Sequence, residues 1–246
     1  MDTATIISLA LLFALAAALY SSVGHGGASA YLAAMAFFSV APDTMKPTAL
    51  TLNLLAAGLG AWRYSRRGLI NWRLLFAFAV TAMPAAYIGG AIHLPPLYYD
   101  PLVGILLWLS AARLLWKPKR IANQAVKQPP LLVTLPAGAV LGLLAGLTGT
   151  GGGIFLSPLI ILFGWEETRR TSGVVASFIF LNSVAGLFGN LASVGRLPGE
   201  LPIFAGAVLA GSLFGTWLGV DRLPREWLLR CLGGVLTVAG AKLLFA

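Results

Sequence analysis

Apolar residues occupy the chain in long blocks separated by short polar or basic stretches. The first five blocks lie at about 4–22, 27–41, 47–63, 74–92 and 99–116. Five more follow at about 131–148, 152–164, 171–192, 202–219 and 227–245. A helix needs roughly 20 apolar residues to cross the hydrocarbon of a bilayer. Inside hydrocarbon each backbone polar group must find its partner within the protein, which makes helices the spanning element for such blocks. Segments 27–41 and 152–164 are short for full spans, so they are read as short tilted helices or as half-helices of re-entrant hairpins. The longest polar stretch, Lys117–Pro130 (KPKRIANQAVKQPP), divides the chain. The expected organisation is a first membrane repeat over 1–117, a basic cytoplasmic linker over 118–130 and a second membrane repeat over 131–246.

Each half carries one glycine-rich interruption. G-H-G-G stands at Gly24–Gly27 and G-T-G-G at Gly149–Gly152, 125 positions on. Asn53 with Gly60 matches Asn182 with Gly189 at an offset of 129, as does Leu94-Pro95 with Leu223-Pro224. The fifth segments end in A-R-L-L-W (Ala112–Trp116) and A-K-L-L-F (Ala241–Phe245), again 129 apart. Four matches in order, at a nearly constant offset, indicate an internal duplication. Paired interruptions in two halves of a membrane chain point to a binding site where the breaks meet.

Composition sharpens this picture. Of the 246 residues, 58% are hydrophobic and 10% charged, and the mean hydropathy is +0.86. A soluble domain carries about 25% charged residues. The net charge of +9 would suit nucleic acid, but the basic residues lie between apolar segments rather than on one solvated face, so no nucleic-acid partner is expected. Their sorting gives orientation. With five crossings per half, or three if each break is a re-entrant hairpin, one side holds the basic residues from Arg63 to Arg73, Arg113 to Lys127, Arg169 and Arg170, and Arg222 to Arg230. The other holds only Lys46, Arg196 and Lys242. The basic side is therefore expected to be cytoplasmic. An odd number of crossings per half makes the two repeats inverted and puts both termini in the periplasm. Residues 4–20 resemble a signal peptide in hydropathy, but Asp2 precedes them without a basic region, so they are taken as a first membrane segment. Cys231 is the only cysteine, which excludes a disulfide framework and a thiolate metal cluster.

The candidate chemistry centres on the breaks. Glycine permits positive φ and close backbone approach, and successive N–H groups at a helix N-terminus form an anion site. Gly24, Gly26, Gly27, Gly149, Gly151 and Gly152 are the candidate backbone contacts, with His25 and Thr150 inside the two clusters. The competing reading is tight helix packing, common for glycine in membranes. His25 is a candidate substrate contact or proton carrier; the competing role is a neutral imidazole bonding the broken backbone. His93, beside Pro95-Pro96, is assigned no role. Asn53 and Asn182 occupy matching places in the third segment of each half, where an amide bridges helices or touches substrate. The eight acids, Asp2, Asp43, Asp100, Glu166, Glu167, Glu200, Asp221 and Glu226, fall in or beside predicted loops. Cation pathways commonly use intramembrane carboxylates, so a centre without them favours an anionic substrate. No glycine cluster is followed by Lys-Ser or Lys-Thr, so no nucleotide loop is present. Neither a cofactor nor a metal is expected.

S-V-G-H-G-G-A at Ser22–Ala28 and G-L-T-G-T-G-G-G at Gly146–Gly153, with the chain length, the basic linker and the A-x-L-L repeat ends, resemble the sulfite exporter TauE/SafE family, also called the 4-toluene sulfonate uptake permease family. The resemblance spans essentially the whole chain. It implies a multi-pass carrier in the cytoplasmic (inner) membrane for small anions such as sulfite, organosulfonates and related compounds, in either direction. Family motifs often carry another residue where His25 stands. The expected fold is an all-α polytopic membrane protein of two inverted repeats, about five segments each, with broken or re-entrant glycine-rich elements. The expected function is a secondary transporter, not an enzyme, working by alternating access. Its partners are a small anion, the lipid bilayer and a coupling ion, H+ or Na+. An anion channel or metal-ion permease is the alternative. A remote alternative is an intramembrane hydrolase using Ser29 in Gly27–Ala30, four residues from His25.

Overall fold

A computed structural model describes residues 1–22, 24–115, 126–191, 197–218, 237, 240–241 and 243–245. Among the described residues the chain is helical and has no strands. The elements are α1 (Thr3–Ser21), α2 (Ala28–Phe37), α3 (Pro42–Arg66), α4 (Trp72–Ala91), α5 (Pro96–Leu115), α6 (Leu131–Thr148), α7 (Gly153–Leu162), α8 (Thr168–Gly189) and α9 (Leu201–Leu218). Four of the described helical stretches, Thr3–Ser21, Trp72–Ala91, Leu131–Thr148 and Arg169–Gly189, are long and apolar enough to cross a membrane. The stretch Lys117–Ala125 of the linker, the Leu223-Pro224 match, Cys231 and most of the tenth segment lie outside the described residues.

Local chemistry sets the helix ends. Asn71 caps α4, its Oδ1 accepting from the Leu74 N–H at 3.1 Å. Proline opens α3, Asp43 lies in its first turn, and Arg63 and Arg66 lie in its last, each sign suiting the helix dipole. That start falls five residues before the apolar block, so Asp43 and Lys46 are helical rather than in a loop. Asp100 is likewise in the second turn of α5, with one carboxylate oxygen buried and without a hydrogen bond.

Glycine stripes set the packing. A Cβ at Gly138, Gly142 or Gly146 of α6 would strike the backbone carbonyls of Phe78, Ala82 and Ala86 on α4. The numbers rise together, so α4 and α6 run parallel in close backbone contact, as small residues allow in membranes. Gly211 and Gly215 of α9 meet Ala14 and Ala18 of α1 in the same way, so α1 and α9 are also parallel. Along α3 and α8 the order reverses. Gly60 faces Ala176, Asn53 bonds Ser183 and Leu50 faces Gly186, so these two helices cross the core antiparallel. Large apolar side chains, including Leu11, Leu15, Phe76, Val80, Val140 and Phe214, are exposed on the outside of the bundle. This outer band is what lipid would cover.

The helix ends sort into two faces. On one, the Met1 amine lies 3.7 Å from Glu200, and a cleft joins Pro42–Pro47 of α3, His93–Leu94 and Asn190. On the other, the Asn71 Nδ2 donates to Glu166 at 2.6 Å, the Lys127 N–H donates to the Gly164 carbonyl at 3.0 Å, and Arg63 bonds Thr216. These are called the first and second face below.

Candidate functional site

The two glycine breaks meet at the middle of the bundle. Asn53 stands near the midpoint of α3, and Ile179 near the midpoint of α8. A Cβ at Gly26 would collide with the Asn53 Oδ1 and come within 3.2 Å of Ile179. A Cβ at Gly151 would collide with the Asn53 Nδ2, reach Ile179 at 2.9 Å and Ser183 at 3.4 Å. Asn53 therefore lies against both breaks at once. Its Nδ2 donates to the Ser183 hydroxyl at 3.0 Å, while its Oδ1 is buried without a hydrogen-bond partner.

The flanks of each break touch the opposite half. Gly24 is seated on Ser172 of α8, where a Cβ would lie 2.6 Å from the Ser172 Cβ, and Gly149 on the backbone of Lys46 in α3 at 3.0 Å. Positive φ occurs at Gly24 (78°), Gly27 (102°), Gly149 (82°), Gly151 (73°) and Gly152 (73°). Gly27 and Gly152 are the residues from which α2 and α7 start. Both are short helices of 10 residues that begin at the breaks, within the segments 27–41 and 152–164. α2 runs from the centre to the first face, and α7 from the centre to the second. The leading N–H groups of a helix have no intrahelical acceptor and carry about half a positive charge. Two such ends converge at mid-depth.

Hydroxyls brace this broken backbone. Tyr31 donates to the Gly26 carbonyl at 2.8 Å. The Tyr20 and Ser29 hydroxyls pair at 2.8 Å. Thr150 pairs with Thr148 at 3.0 Å, and Tyr99 donates to the Thr148 carbonyl at 3.2 Å. His25 is half-buried, its N–H bonded to the Tyr20 carbonyl at 2.9 Å and its ring edge-on to that of Tyr20. Asn182 is fully buried with neither amide atom hydrogen bonded. The α8 atoms nearest the Gly26 and Gly151 positions belong instead to Ile179 and Ser183. Ile179, Ser183, Tyr31, Tyr99 and Lys46 are the contacts that sequence reasoning passed over. A signal existed for the tyrosines, because a phenol in an apolar span needs a partner for its O–H.

Lys46 is only 6% exposed. Its ammonium donates to the carbonyls of Gly89 at 3.1 Å, Gly90 at 2.8 Å and Ile92 at 2.9 Å, at the C-terminal end of α4. All three N–H groups are thus used, and the charge rests on the negative end of a helix dipole.

Comparison with known proteins accords with this architecture. The profile of the sulfite exporter TauE/SafE family matches residues 9–243. A protein of Sinorhizobium fredii (strain NBRC 101917 / NGR234) called probable membrane transporter protein y4hK is 40% identical over 248 residues, covering 100% of both chains. The Bacillus subtilis (strain 168) protein called probable membrane transporter protein YjnA is 25% identical over 257 residues, covering 97% of this chain and 99% of its own. No solved structure is a significant match. A profile match over most of the chain, a full-length relative and a bundle of apolar helices agree, and the chain belongs to the sulfite exporter TauE/SafE family of multi-pass membrane transporters.

Proposed function

We propose that the chain is a secondary transporter that carries a small sulfur-containing anion, such as sulfite or an organosulfonate, by alternating access of two inverted repeats. One observation carries this reading: Gly26 and Gly151 converge on Asn53 at mid-bundle, beneath the N-terminal ends of two half-helices. Backbone N–H groups there supply positive potential without a buried cation in the site itself. The Asn53 amide and the Ser183 hydroxyl add side-chain donors. Asn182, His25 and Thr150 stand as further candidate contacts.

Inversion is supported by the helix directions. The equivalent helices α3 and α8 run antiparallel. Parallel pairing of α1 with α9 is mirrored by parallel pairing of α4 with α6, which exchanges first and fourth helices between the halves. Gly26, Asn53 and Gly151 are buried, which favours a carrier in an occluded state over an open channel. The expected setting is the cytoplasmic (inner) membrane, with the first face and both termini periplasmic.

Purified protein in proteoliposomes is to be tested for exchange of radiolabelled sulfite and methanesulfonate, with choline and sodium as cationic controls. Saturable exchange of an anion is expected. Preference for cations, or unsaturable conductance, would overturn the reading.

A further inference from the structure

A secondary carrier needs a group that exchanges the coupling ion. We propose, on the basis of the carrier reading above, that Lys46 is the proton-coupling group, alternating between a protonated form caged by α4 carbonyls and a neutral form that releases them.

The cage is the first ground. Carbonyls at a helix C-terminus inside a transporter form a monovalent-cation site. Here the cation is tethered: the Lys46 ammonium occupies the Gly89, Gly90 and Ile92 carbonyls with all three N–H groups. The second ground is a route for the proton. Lys46 lines a small cleft at the first face, with Asp43, His93, Tyr99 and Asn190. The third is a waiting partner. Asn190 is 1% exposed and lines the same cleft, and neither its Nδ2 nor its Oδ1 has a hydrogen bond. A neutral amine needs an acceptor for its N–H and a donor for its lone pair, and a side-chain amide offers both. The fourth ground is coupling to the site. The Lys46 backbone carbonyl is the seat of Gly149, so movement of Lys46 is felt at the second break.

The step is a plain proton transfer. An N–H bond of the ammonium breaks, the electron pair stays on nitrogen, and the proton passes to solvent water in the cleft. Reprotonation reverses it. The groups facing Lys46 that carry or exchange charge are Asp43 on its own helix, His93 from the α4–α5 connection and Tyr99 from α5. The α6–α7 junction presents backbone only, through Gly149, and α8 presents the Asn190 amide. With Lys46 charged, the anion in the breaks is compensated; with Lys46 neutral, both leave together.

Arginine tests this without removing the charge, because a guanidinium does not deprotonate in proteins. The probe is radiolabelled methanesulfonate, whose charge is constant near neutral pH. Proteoliposomes of the wild type and of Lys46→Arg, Lys46→Met and Asn190→Leu variants are compared for anion exchange and for accumulation under an imposed proton gradient. At one proton per anion, a gradient of one pH unit drives about tenfold accumulation by the wild type. Lys46→Arg should keep exchange and lose that accumulation. Lys46→Met, which is always neutral, should lose exchange as well as accumulation, and Asn190→Leu should move the pH profile of exchange. Accumulation by Lys46→Arg equal to wild type would overturn the proposal, as would wild-type accumulation driven by sodium and not by protons. Absence of methanesulfonate and sulfite exchange in the wild type would overturn the carrier reading itself, and this proposal with it.

Discussion

At the scale of single residues, Asn53 is the joint of the molecule. Its two amide atoms face the two breaks, so there is no room for a side chain at Gly26 or Gly151. Gly26→Val or Gly151→Val should abolish transport while leaving an inserted protein, measured as flux against membrane yield. Wild-type flux in both would reduce the breaks to packing devices. Asn53→Ala should weaken anion binding by on the order of 1–3 kcal/mol, roughly 5- to 150-fold, if the lost bond is to a charged group. Titration calorimetry on purified protein checks this. Asn182→Ala is expected to cost a similar amount if Asn182 also reaches the ligand, and unchanged affinity in both variants would take the amides out of the site. Sequence reasoning reached Gly26, Gly151 and Asn53 because glycine clusters and buried amides are costly in hydrocarbon and so stand out. It paired Asn53 with Asn182 by a constant offset of 129. At the breaks, the residue opposite Asn53 is Ile179, 126 positions on. An isoleucine in an apolar helix carries no signal. Lys46 escaped notice for a different reason: a lysine next to an apolar block reads as a loop charge until a helix end is seen to receive it.

At the scale of elements, block boundaries were legible to within a few residues for α6, α7 and α9. They were poorer for α3, because its first turn is polar and held by its proline and Lys46 rather than by hydrophobicity. Parallel or antiparallel pairing was not legible at all, since it depends on which glycines face which backbone. The α4–α6 contact is the sharpest case. A Cβ at Gly142 would strike the Ala82 carbonyl and Cα, a backbone neighbour that cannot rotate away. Gly142→Leu should destabilise the bundle by about 1–3 kcal/mol or more through overpacking. Gly206→Ala on α9, where nothing lies within 4 Å of the added carbon, should be neutral or slightly stabilising through helix propensity. Thermal unfolding in detergent distinguishes the two. Equal melting temperatures would mean that α6 does not need close approach to α4.

At the scale of the whole molecule, orientation rests on the basic residues and the two faces. The second face gathers Arg63, Arg66 and Arg67 with Arg73, Lys127, Arg169 and Arg170 around the Asn71–Glu166 contact. Lys46, counted at first with the opposite side, drops out of the loop tally because its ammonium is spent on buried carbonyls. The asymmetry is therefore steeper than the sequence alone suggested, and by the positive-inside rule the second face is the one expected in the cytoplasm. Two exposed positions report on the two faces: Gly199, with open space around it, beside Glu200 on the first, and Gln128, in the described part of the linker, on the second. With Cys231→Ser as background, a membrane-impermeant maleimide should label the Gly199→Cys variant in intact cells. It should label the Gln128→Cys variant only after the membrane is opened. Reversed labelling would flip the orientation while keeping the inverted arrangement. Labelling of both from outside would contradict the expected odd crossing number per half, and with it the inverted arrangement proposed for alternating access between the two breaks.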